Sequence, residues 1–132
     1  MDTAYWGKET LMSKKILVVE DEEDMLSVMD LRLTSTGYEV ILAENCQEAL
    51  ERFREAVPDL VMLDIMLPDG NGFDLCKKMK QESSQRAKII MFTNKVEAID
   101  VTRARQSGAD DFIVKTSDLV YILDAIKKVL KD

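Results

Sequence analysis

The chain contains no histidine. That absence removes Ser–His and Cys–His nucleophiles and His-ligated zinc, so any chemistry falls to carboxylates, hydroxyls, amines and backbone. Cysteine is scarce. Cys46 and Cys76 stand on separate predicted helices rather than in a Cys-x-x-Cys pair, and read as reduced, space-filling thiols. No apolar run approaches the roughly 18 residues of a membrane span, and no signal-peptide pattern opens the chain. The expectation is a cytoplasmic protein with no membrane partner. Basic charge is in deficit: 18 Lys and Arg against 25 Asp and Glu give a net charge of −7. Such a surface repels phosphate backbones and argues against direct nucleic-acid binding. The phosphate loop G-x-x-x-x-G-K-[ST] is missing, and Gly70-Asn71-Gly72 is no dinucleotide fingerprint. A calcium loop counted from Asp69 also fails, because Asp74 and Lys80 stand where Gly and Glu are required.

What is present is a rhythm. With 132 residues, 46% of them apolar, the chain suits one domain with a real core. Residues 1–13 show no period and read as an N-terminal extension, disordered in part or foreign to the natural chain, ahead of a domain over 14–132. Apolar runs at 16–20, 40–43, 60–63, 89–92 and 112–114 predict five strands. Between them lie helical stripes. The first carries Leu26, Met29 and Leu33 and stops at Gly37. The second carries Cys46, Ala49, Leu50, Phe53 and Val57, with Asn45 and Glu48 close to a capping box. Phe73, Cys76 and Met79 mark the third. The fourth, over 96–107, has few anchors, Val96, Ile99 and Ala104, and is expected to be loosely held. Ser117 is expected to cap the last, whose stripe is Leu119, Ile122, Leu123, Ile126 and Leu130. Continuous apolar strands alternating with helices predict an α/β fold with a parallel sheet covered on both faces.

The polar residues that follow the strands form a pattern. Glu20 and Asp21 follow strand one, Asp64 strand three, Thr93 strand four and Lys115 strand five. The carboxyl ends of parallel strands share one edge, where ligands bind. Three carboxylates, a hydroxyl and an amine therefore converge at one rim. An oxygen-rich cluster of this kind suits Mg2+, whose shell phosphate often completes. Hydroxyl and lysine both partner phosphoryl oxygens, and carboxylates are competent phosphoryl acceptors. Each residue taken alone has a plainer reading: a solvated helix start at 20–24, a strand terminator at Asp64, a loop hydroxyl, a surface charge. Their joint placement favours the site.

The segments ILVVEDEEDM, DLVMLDIMLPDGNGFDL, KIIMFT and GADDFIVK, in this order, resemble the receiver domain of two-component response regulators over residues 14–131. The resemblance implies a flavodoxin-like, CheY-like five-stranded parallel sheet of order 2-1-3-4-5. It implies that Asp64 is the phosphoacceptor and that Glu20, Asp21, Asp64 and the backbone carbonyl of Met66 serve Mg2+. It implies that Lys115 pairs with Asp64 and then with phosphoryl oxygens, and that Thr93 and Phe112 form the switch. The donor implied is a phosphohistidine on a sensor histidine kinase or phosphotransfer protein. Because the chain has no histidine, the donor is another molecule. A downstream protein of unknown identity follows, with a homodimer through the last two helices and fifth strand among the expectations. Such a chain is a signalling switch rather than an enzyme, acting alone or as part of a longer protein.

Two departures stand out: Thr116 where the family carries proline, and Asn94 with Lys95 where a small residue commonly follows the hydroxyl. Two competing readings remain. A pseudo-receiver would bind proteins without accepting phosphate. A phosphatase of the haloacid-dehalogenase type would need a second Asp two residues after the nucleophile, where Met66 stands, and metal acids late in the chain rather than early.

Overall fold

The structure, a computed structural model, describes residues 13–94 and 98–131. The extension read at 1–13 and the anchor Val96 therefore fall, but for Ser13, outside the described residues, as does the side chain of Ile99.

Five strands, β1 (Lys15–Val19), β2 (Glu39–Ala43), β3 (Leu60–Leu63), β4 (Lys88–Thr93) and β5 (Asp111–Val114), pair in the order β2-β1-β3-β4-β5. All four pairings are parallel, with Val19 beside Ala43 and Leu63, Leu63 beside Met91, and Thr93 beside Val114. Five helices connect them: α1 (Glu23–Thr36), α2 (Cys46–Ala56), α3 (Gly72–Glu82), α4 (Ala98–Gln106) and α5 (Leu119–Leu130). The apolar runs carry two cores at once, because successive side chains in a strand point to opposite faces. Leu17, Val19, Val61, Leu63, Ile89 and Met91 pack with α2 and α3 and with Ala104 of α4. Ile16, Val18, Leu60, Met62, Ile90 and Phe92 pack with α1 and α5. Each such fully buried aliphatic contributes about 1.5–3 kcal/mol.

Helix signals mostly act as their chemistry dictates. Gly37 ends α1 at φ 109°, a left-handed conformation that costs glycine nothing. The Asn45 side chain accepts from Glu48 N–H and starts α2. Two expectations need correction. Val57 is not part of the α2 stripe: it lies past the helix at φ 49° and is 73% exposed. Pro58 disfavours right-handed helical conformation at the residue before it, and the helix ends there. Ser117 does not cap α5. Its N–H closes a turn onto Val114 O, and Asp118 caps instead by accepting from Tyr121 N–H at 2.8 Å. A two-residue ribbon, Met66–Leu67 with Gly70–Asn71, also forms where only a turn was expected.

Candidate functional site

Every strand-end residue singled out from sequence sits at the carboxyl edge of the sheet, and the backbone holds it there. Glu20, Asp64 and Lys115 each lie one step past a strand, and each N–H extends the ladder by one bond. Glu20 donates to Ala43 O at 3.0 Å, Asp64 to Val19 O at 3.2 Å, and Lys115 to Thr93 O at 2.7 Å. Placement therefore follows from the register rather than from loop conformation.

The side chains meet. Lys115 Nζ lies 2.7 Å from Asp64 Oδ2 and forms a second ion pair with Glu20 Oε1. All three residues are buried, whereas Asp21 is exposed. Carboxylate oxygens of Glu20, Asp21 and Asp64 lie within 4.8 Å of one another. Glu20 Oε2 accepts from Glu22 N–H, and Asp64 Oδ1 accepts from Met66 N–H at 3.3 Å. Thr93 is buried at the end of β4. Phe112 stands outside this cluster, half-buried against the core on the α2–α3 side.

One ammonium serving two buried carboxylates leaves the site a negative charge over. Burial pushes the Glu20 carboxyl above its ordinary range, outweighing the bonds from Lys115 and Glu22, while the Asp64 charge pushes the same way. Burial works against the Lys115 ammonium too, but the Asp64 and Glu20 carboxylates outweigh it and hold its pKa above the lysine range. Glu20 Oε1 pairs with the ammonium and has no other partner among the described residues. A surplus of buried negative charge and an exposed third acid fit a small divalent cation taken up from solvent.

Gly72 and Asp69, two residues of the turn after Asp64, also shape the site. Gly72 packs so closely that a Cβ there would lie 2.2 Å from the Asp64 carbonyl oxygen. Its N–H donates to Ile65 O at 2.6 Å, folding the chain back under the acid. Asp69 reaches across to α2, where its carboxylate accepts from Cys46 N–H at 2.7 Å and Gln47 N–H at 3.0 Å. Those two bonds hold the Asp69 carboxyl below its usual range. A glycine opening a helix directly after the acid's turn was the available signal for the first. The second, a contact between residues 69 and 46, has no local signal.

A model described as "Response regulator receiver domain" matches residues 16–127. The chain belongs to the response regulator receiver domain family. The receiver is 41% identical over 118 residues to the probable transcriptional regulator ycf27 of Porphyra purpurea, covering 89% of this chain and 48% of that one. It spans about half the length of the curated relatives it matches. Among solved structures, a two-component response regulator from Clostridium difficile superposes at TM-score 0.85 with 30% identity, covering 90% of this chain and 97% of that one. The BeF3-activated receiver domain of Klebsiella pneumoniae RstA superposes at 0.83 with 27% identity, covering 89% and 99%. The haloacid-dehalogenase reading loses its support with this match. With Thr116 following it, Lys115 still reaches Asp64. Among the described residues no helix is long and apolar enough to cross a membrane.

Proposed function

We propose that this receiver takes a phosphoryl group onto Asp64 from a phosphohistidine of a sensor histidine kinase or phosphotransfer protein, and that the product switches its surface for signalling. The observation that carries the reading is the buried Lys115 ammonium joined to both Asp64 and Glu20 beside Asp21.

Asp64 Oδ attacks phosphorus in line. The phosphorus–nitrogen bond breaks, its electron pair returns to the donor imidazole, and an acyl phosphate remains on Asp64. Lys115 already lies at hydrogen-bond distance from the acceptor carboxylate, so it neutralises the equatorial oxygens as they arrive without reorganising. Glu20, Asp21, Asp64 and the Met66 carbonyl would hold Mg2+, which when bound supplies charge neutralisation for the transferring group. Thr93 then donates its hydroxyl to a phosphoryl oxygen, and Phe112 turns inward with it. Moving such a switch from 1:99 to 99:1 takes about 5.5 kcal/mol of differential stabilisation. The rearranged face, α4, β5 and α5, meets a downstream protein or a second copy through exposed Val120 and Tyr121.

Incubation with acetyl phosphate and Mg2+, followed by intact mass, tests the proposal. One phosphoryl adduct is expected on the wild type, and none on Asp64→Asn or in excess EDTA. An adduct that survives Asp64→Asn removes the acceptor assignment. No adduct on the wild type makes the chain a pseudo-receiver.

A further inference from the structure

A second surface has no part in that chemistry. Strand β2 is an edge of the sheet, so among the described residues one side of its backbone has no strand partner. Val40, Ile41 and Leu42 are also only half covered, whereas β1 beside it is buried from Ile16 to Val19. A groove of about 590 Å³ opens at the carboxyl end of this edge, at Leu42 and Glu44, walled by α1 on one face of the sheet and α2 on the other.

The groove has a distinct chemistry. Leu42 lies in its floor, and Leu31, 65% exposed, stands on its α1 wall. Glu23, Asp30, Glu44 and Glu48 line it, against one cation, Arg52. None of these four acids is in an ion pair among the described residues. Successive β2 side chains already divide between the walls: Val40 and Leu42 pack on the α1 side, Ile41 on the α2 side. A strand laid on the edge would continue that alternation.

We propose that this groove binds an extended segment of a partner protein in which Lys or Arg alternates with aliphatic residues, the segment adding to the sheet beside β2. Open edges accept such strands through main-chain hydrogen bonds, and pockets for alternate side chains set the preference. The acids without ion pairs stand on both walls and favour basic residues, while Leu31 and Leu42 give the α1 wall an aliphatic contact. Nucleic acid is repelled by the same acids. The proposal does not depend on phosphorylation of Asp64.

The probe is a capped hexapeptide alternating lysine and valine, titrated into the isotopically labelled full chain and followed by amide chemical shifts. Shifts are expected over residues 23–34 and 39–52, with the Val40 or Leu42 amides moving as they gain a partner. The Asp30→Lys/Glu44→Lys variant is expected to bind about tenfold more weakly. Leu31→Ser, which removes apolar contact but no charge, weakens binding as well. N-methylation of alternate peptide bonds abolishes binding in one of its two registers. Shifts scattered over the whole acidic surface overturn the proposal. So does equal affinity for the charge-reversed variant, or equal affinity for both N-methylated peptides.

Discussion

Lys115 shows why the site was visible in the sequence. A single amine follows the last apolar strand, and in a parallel sheet it has one edge at which to emerge. Glu20, Asp64 and Thr93 were legible for the same reason. Gly72 was not, because a glycine at a turn has a sufficient local explanation, and the Asp64 carbonyl it accommodates comes from the preceding strand end. Gly72→Ala is expected to lower stability by about 2 kcal/mol, since backbone rather than a flexible side chain must give way. Denaturant midpoints measure that loss, and a midpoint equal to wild type would mean the loop yields freely. Cys46 gives a second prediction at this scale. Burial and the neighbouring Asp69 carboxylate push its thiol up to about 11. Alkylation by iodoacetamide at pH 8 should therefore be far slower than for a free cysteine and should accelerate only as pH approaches that value. Rapid labelling at pH 8 would contradict the protonated thiol.

Among the elements, α2 has a doubly secured start. Asn45 caps it from within, and Asp69 caps it from another loop. Asn45→Ala is expected to cost about 1 kcal/mol, read as a fall in melting temperature of a few degrees. Asp69→Ala is expected to destabilise in a pH-dependent way. The folded-state pKa of Asp69 is depressed, so its contribution is present above the unfolded carboxylate pKa and is lost as pH falls through the folded value. Wild type and variant should thus differ at neutral pH and converge in acid; a constant gap would assign the effect to packing. The Asn45 cap was legible because capping is local. The Asp69 cap and the end of α2 at Val57 each depend on something a stripe does not encode, a distant loop in one case and the proline that follows in the other. The weakness read into α4 is partly offset. Arg103 lies 4.4 Å over the ring of Phe73, tying α4 to α3, and the Ser107 hydroxyl donates to Ala104 O at 2.6 Å.

At the scale of the molecule, five apolar runs without alternation indicated a covered parallel sheet, while the strand order came from family resemblance. The Lys80–Asp110 ion pair escaped both routes. Its partners are distant in sequence, yet Asp110 Oδ2 accepts from both Lys80 Nζ at 2.7 Å and Ile89 N–H at 2.8 Å, joining α3, β4 and the approach to β5. Beryllofluoride with Mg2+, bound at the acid cluster, should raise the melting temperature. Saturation at one hundred times the dissociation constant corresponds to about 2.7 kcal/mol, a rise of several degrees that Asp64→Asn should abolish. An unchanged melting curve would mean that the folded chain does not take the mimic. The Asp69 bridge sets the direction in which any such event is felt. The loop after Asp64 is bolted to α2 through Asp69 and seated beneath Asp64 at Gly72, so that flank resists displacement like the fixed jaw of a vice. On the proposed function, motion that follows phosphorylation is therefore expected at the opposite flank, on the α4 side of the sheet.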